Sequence, residues 1–214
     1  NLIALQINNW NEQQRDSAKM RMNINSIAKD IQEDIIELQK TIQSIQQQEE
    51  AARTIIPIME SENKFISDSL QFILDFNALT TTPIITERMN TWTFLNSSGI
   101  LSEFPDPKLL KMLQDYYNKF RNITTNYTNS ANPVQREIRK LKYELFTDSE
   151  HRKFFPTSTP KAPSVEVYNA IFDDNRILPL SRFIGSTATY FEGKFKSVES
   201  NAKSILDYIE KNNY

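Results

Sequence analysis

Proline is spread very unevenly along this chain. Residues 1–56, 108–132, 134–155 and 180–214 contain none, and all nine prolines fall outside those stretches. Proline has no amide hydrogen to donate and its ring clashes with the preceding turn, so it is excluded from helix interiors. The proline-free stretches are therefore the places for long helices. Glycine points the same way. Only Gly99, Gly185 and Gly193 occur, too few for the tight turns and close backbone approaches of sheet-rich folds.

Hydrophobic spacing fills these stretches with amphipathic helices. In the first, Ile24, Ile27, Ile31, Ile35, Leu38, Ile42 and Ile45 recur at steps of three and four, one stripe of a helix. Trp10, Ser17 and Met20 roughly continue it upstream. A helix of this extent would span roughly 70 Å, a stalk rather than an ordinary globular helix. Pro57 ends or kinks it. Ser61 is expected to cap a second helix running to Asn77, with Ile66, Leu70 and Ile73 inward. Thr82-Pro83 is expected to open a third, through Ile85, Met89, Trp92 and Leu95, closed by Ser98-Gly99.

Asp106-Pro107 opens a fourth helix striped by Leu109, Leu113, Tyr116, Phe120, Ile123 and Tyr127. Asn132-Pro133 is expected to open a fifth, with Val134, Ile138, Leu141 and Leu145 inward. Residues 147–164, with Pro156, Pro160 and Pro163, read as a long mobile loop. A short helix follows near Val165 to Phe172. The last segment has the cleanest seam: Ile184, Ala188, Phe191, Phe195, Val198, Ala202, Ile205 and Ile209 alternate four and three without a break. Two long heptad-like helices at opposite ends of the chain invite antiparallel pairing, with the fourth and fifth helices as a hairpin completing a bundle. The expected fold is an all-α antiparallel helical bundle with a long N-terminal stalk helix and a long C-terminal helix.

Composition excludes several chemistries. Cysteine is absent, which removes disulfides, thiolate metal sites and cysteine nucleophiles. A net charge of −2 gives no basic footprint for nucleic acid. Asp30, Glu33, Asp34 and Glu37 share one helical face, but a carboxylate di-iron bundle needs Glu-x-x-His pairs on two helices, and His151 is the single histidine. These acids read as a solvated face, as does the Gln-rich patch Gln43 to Glu50. His151 is also the one base available to a serine nucleophile, and no serine sits in a strand-to-helix elbow. Asp173-Asp174-Asn175 starts like a calcium loop but lacks its glycine and closing glutamate, so it reads as a cap or turn. No glycine-rich phosphate cradle exists. Tyr116-Tyr117 read as core. The triplets beginning at Asn96, Asn122 and Asn126 match the glycosylation pattern, which is common by chance. No catalytic residue, cofactor or metal ligand is expected.

The remaining signal is at the start. Leu2, Ile3, Ala4, Leu5 and Ile7 give way abruptly to polar residues, with an aromatic at Trp10. This is how a transmembrane helix leaves a bilayer, with an amphipathic ring at the interface. Residues 1–7 are expected to be the tail of such a helix and 8–214 a single helical-bundle domain. Asn8, Asn9, Trp10, Asn11 and Glu12 are the candidate contact with the membrane interface or with a partner.

The stretch I-A-L-Q-I-N-N-W-N-E resembles a family of Gram-negative bacterial membrane-anchored proteins that share a domain of unknown function. Leu95-Asn96-Ser97-Ser98-Gly99 followed by L-L-K-M-L-Q-D-Y-Y at Leu109 to Tyr117 is similar to that family's Ser-Gly turn and paired tyrosine. The similarity covers roughly residues 2–145. It implies a short basic tail and one membrane helix ahead of Asn1. A basic tail stays cytoplasmic, which would put the bundle in the periplasm and the protein in the inner membrane. The resemblance implies no catalytic residues.

The expected function is a non-catalytic periplasmic interaction or sensing module. Its expected partners are the membrane and either another protein or a second copy through the helix seams. The alternative is a structural coiled-coil spacer or assembly factor of the envelope. A dimer with the seam from Ile24 to Ile45 buried between copies would favour the alternative. An enzyme would need acids from different helices in one pocket with raised pKa values.

Overall fold

A computed structural model describes residues 2–153 and 161–214. It is all-α among these residues. The helices are α1 (Leu2–Glu60), α2 (Ser69–Leu79), α3 (Asn90–Ser97), α4 (Pro107–Leu145), α5 (Asp148–His151), α6 (Val165–Asp173) and α7 (Ile177–Lys211), with a 3-10 turn at Ile100–Glu103. They build two compact units. Unit 1 comprises residues 1–39, 86–121 and 197–214, and unit 2 comprises 40–85 and 122–196.

In each unit α7 runs antiparallel to α1. In unit 2, Arg182 pairs with Glu60, Thr189 donates to Glu49, and Gln46 donates to Glu192. In unit 1, Gln39 donates to Glu199. The predicted seam of α7 is buried at all eight positions from Ile184 to Ile209. The seam of α1 is stricter than the apolar residues alone suggest. Ile24, Ile27, Ile31, Asp34, Leu38, Thr41, Ile45, Gln48, Ala52, Ile55 and Met59 are all buried, and their steps alternate three and four throughout. Ile35, expected inward, is half-buried, and Trp10 and Ser17 are exposed. The acids of α1 are thus not simply a solvated face, because Asp34 is 0 % exposed. Nor is Gln43 to Glu50, because Gln48 is 1 % exposed.

Three expected boundaries move. The fourth and fifth helices are one, α4, with Pro133 inside it. Pro133 and Asn129, whose carbonyl loses its helical donor, both face solvent, where water replaces the missing bond. The expected hairpin is therefore a single helix. The cap of α2 is Asp68, which accepts from the Gln71 N–H at 2.9 Å, not Ser61. The third helix starts at Asn90, not at Thr82-Pro83. Pro83 is buried within an irregular segment, 81–89, that forms neither helix nor strand, and proline biases its predecessor away from helical backbone.

That segment has backbone groups to satisfy, and the polar seam residues satisfy them. In unit 2, Gln48 donates to the Thr81 carbonyl and Thr41 to the Ile84 carbonyl at 3.0 Å. Thr41 and Gln48, seven residues apart on α1, thus hold carbonyls three residues apart on the segment. Arg139 of α4 holds the Thr80 carbonyl at 2.9 Å and the Thr82 hydroxyl at 2.7 Å. Gln135 bridges Gln48 at 3.2 Å and the Tyr127 hydroxyl at 2.8 Å.

Other expectations stand. Asp106 caps α4, accepting from the N–H groups of Lys108 and Leu109 at 2.9 and 3.0 Å. Gly99 follows α3 in the left-handed conformation, φ 76°. Asp174 is the C-cap of α6 and holds Arg176 at 2.6 Å. Part of the 147–164 loop forms α5, and the mobility expected around Pro156 and Pro160 lies outside the described residues.

Gly185 is where α7 packs tightly on α1 in unit 2. A β-carbon there would sit 2.8 Å from the Ala52 Cβ. Gly185→Ala gains about 1 kcal/mol of helix propensity but forces two backbones apart, and overpacking costs about 1–3 kcal/mol. The variant is expected to be destabilised by about 1 kcal/mol in denaturant titration. Ala52→Gly in the same chain is expected to restore part of that loss, and additive effects of the two changes would contradict the contact.

Candidate functional site

Unit 1 contains a buried polar centre built from three elements. From α1 comes Asp34, fully buried. Its Oδ1 accepts from the Arg88 backbone N–H at 2.8 Å and its Oδ2 from the Tyr116 hydroxyl at 2.8 Å. Arg88 belongs to the irregular segment ahead of α3, and its guanidinium turns outward to Glu33 at 2.8 Å. From α4 come Tyr116 and Tyr117, adjacent rings meeting edge to face at 5.0 Å. Trp92 of α3 stacks on Tyr117 at 4.9 Å. So the segment that carries Arg88 and Trp92 is fastened by the Arg88 N–H bond to Asp34, the Arg88–Glu33 ion pair, the Arg121 contact with the Met89 sulfur and the Trp92–Tyr117 stack.

The electrostatics are unusual for a helical seam. Desolvation raises Asp34 to about 6, and the negative charge of Asp30 adds to the rise. The hydrogen bonds from Tyr116 and Arg88 oppose it without cancelling it. Burial also raises Glu87, against the pull of Arg121. Both tyrosines are pushed up by burial and by the charge of Asp34. Asp30 Oδ2, Glu87 Oε2 and the Tyr117 hydroxyl are buried with no hydrogen-bond partner. Such atoms cost about 1–3 kcal/mol each when left unpaired. The centre is rich in carboxyl oxygens and short of donors.

Among the described residues, no three His, Asp or Glu side chains are placed to hold a metal ion. His151 belongs to unit 2, where its ring stacks on Tyr143 at 4.5 Å. Burial and the charge of Lys142 lower its pKa.

The residues expected at the membrane interface lie elsewhere. Asn8, Asn9, Trp10, Asn11 and Glu12 are all on α1 and all exposed, Trp10 at 60 %. Their side chains are not brought to the Asp34 centre. Sequence reasoning placed Tyr116 and Tyr117 correctly in the core but missed Asp34. The signal was present: position 34 continues the strict alternation between Ile31 and Leu38, and a polar residue at a seam position is either a register device or a site. Counting only apolar residues hid it.

No family model matches this chain, and no curated protein and no solved structure matches it either.

Proposed function

We propose that this chain is the periplasmic domain of an inner-membrane protein and works by contact or sensing rather than by catalysis. One observation carries the reading. Residues 5–19 of α1 are exposed on every face of the helix, whereas the seam from Ile24 onward is buried. Ile3, Leu5, Ile7 and Trp10 are 55–73 % exposed. The apolar side chains gather at the end where a membrane anchor is expected. A bilayer interface, or a partner held beside it, covers them. Among the described residues no helix is long and apolar enough to cross a membrane.

The contact reading is favoured over the spacer. The seam from Ile24 to Ile45 is filled by the chain itself, with Ile24, Ile27, Ile31 and Ile45 at 0 % exposure. A second copy has no apolar stripe there to bury. An enzymatic reading gains little from the raised carboxyls of unit 1, because Asp34 is fully buried and beyond the reach of a substrate.

The absence of cysteine makes the topology directly testable. Ser149 is exposed, so Ser149→Cys in the membrane-anchored protein places an accessible thiol in a domain that has none of its own. A membrane-impermeant maleimide is expected to label it in intact cells whose outer membrane has been made permeable. Labelling only after the inner membrane is lysed would overturn the periplasmic assignment.

A further inference from the structure

We propose that the Asp34 centre is a proton-operated latch, in which a proton bound there holds residues 86–89 and α3 against the helices of unit 1, and its loss loosens them. The proposal rests on the sensing half of the reading above and names the ligand, the proton.

The latch has a definite bolt. The Arg88 N–H donates to Asp34 Oδ1, and the ring stack of Trp92 on Tyr117 follows it within the same stretch of chain. Only the charge on the bolt changes. With the proton on, Oδ2–H donates to the Tyr116 oxygen and the Arg88 N–H keeps its acceptor. With the proton lost to solvent, Tyr116 donates to a carboxylate that has no water around it.

The groups facing that carboxylate come from each packed element. From α1 Asp30 acts on it, from residues 86–89 Arg88, and from α4 Tyr116 and Tyr117; Glu87 acts on Tyr116 beside it. Trp92 of α3 carries no charge. Arg88 is occupied by Glu33 and Arg121 acts on Glu87, so neither cation is dedicated to Asp34. In the unit 1 part of α7, Ser197 meets Lys119 and Glu199 meets Gln39. Three further polar atoms, on Asp30, Glu87 and Tyr117, are buried without partners. A second full charge placed among them is poorly compensated, and opening the segment rehydrates it.

The test is amide hydrogen exchange across residues 86–95 at pH 5, 6 and 7.5, corrected for the chemical exchange rate. Asp34 at about 6 against an ordinary carboxyl in the opened state predicts that the opening equilibrium increases about tenfold from pH 5 to pH 7.5. In Asp34→Asn, whose amide permanently imitates the protonated acid, that increase is expected to shrink to the part that Glu87, also raised by burial, contributes, and the segment to stay better protected than in the natural chain. An equal increase in Asp34→Asn, or none in the natural chain, overturns the latch. Should the asparagine variant fail to fold, Tyr116→Phe decides. It removes a hydrogen bond that favours the ionised form, so the midpoint must move to higher pH, and an unmoved midpoint overturns the proposal. None of these outcomes depends on membrane topology, so the latch and the labelling experiment fail separately.

Discussion

Asp34→Ala and Asp34→Asn are expected to shift stability in opposite directions. At pH 5 the alanine variant should unfold about 3 kcal/mol more easily than the natural chain. It leaves the Arg88 N–H without its acceptor and the Tyr116 hydroxyl without its partner in a dry core, at about 1–3 kcal/mol for each orphaned group. Asparagine keeps both bonds, because its carbonyl accepts from Arg88 and its amide donates to the Tyr116 oxygen. It also removes a charge that the fold disfavours. The folded carboxyl, at about 6, holds its proton more tightly than an unfolded one. Its stabilising effect is therefore full at low pH and is lost as pH rises through 6. At pH 7.5 the asparagine variant should exceed the natural chain by about 2 kcal/mol, and the gap should widen by about 1.4 kcal/mol between pH 5 and pH 7.5. Urea titrations at the two pH values measure this. Glu87, also raised by burial, changes stability in the same sense but is common to both chains, so it drops out of the gap between them. Asp106, Asp174 and Glu192 are held below their ordinary values by their partners, so their contributions disappear only in more acid solution. Lowered His151 changes stability in the opposite sense, and it is common to both chains.

Phe195→Ala is expected to cost about 4 kcal/mol, the range for emptying a buried phenylalanine site. Phe195 is 0 % exposed and is the last α7 seam position within unit 2. Its ring meets Tyr127 of α4 at 5.8 Å and Phe191 at 6.3 Å. Those neighbours are large rings on helices pinned elsewhere along their length, so the site collapses poorly. Phe195→Leu retains most of the volume and should cost less than about 1.5 kcal/mol. The contrast between the two, read as a shift in denaturation midpoint, separates volume from aromatic contact.

The parts of the fold written in apolar residues were legible. The α7 seam needed nothing but spacing, and Asp106-Pro107 declared the start of α4 through a capping carboxylate. What escaped was written in polar residues whose partners are distant in sequence. Pro133 looks like a boundary until the flanking stripe from Tyr127 to Ile138 is seen to continue through it, with the lost hydrogen bond facing water. Pro83 looks like a helix start until Thr41, Gln48 and Arg139 are found gripping the carbonyls around it. Asp34 looks like one acid among four on a wet face, and its burial becomes visible only when the heptad register is carried through polar positions as well as apolar ones. The site was missed for the same physical reason: a hydrogen-bonded polar group occupies a seam position as legitimately as a leucine does, but it gives no hydrophobic signal.

The most direct measurement is the titration of the Asp34 side-chain carboxyl by carbon-13 NMR in the folded chain, assigned by its loss in Asp34→Asn. A midpoint near 6, with the Arg88 amide resonance moving in the same titration, is the predicted result. A midpoint near 4, with the Arg88 amide indifferent to it, would mean that the carboxyl is hydrated and that the buried, proton-binding centre does not exist.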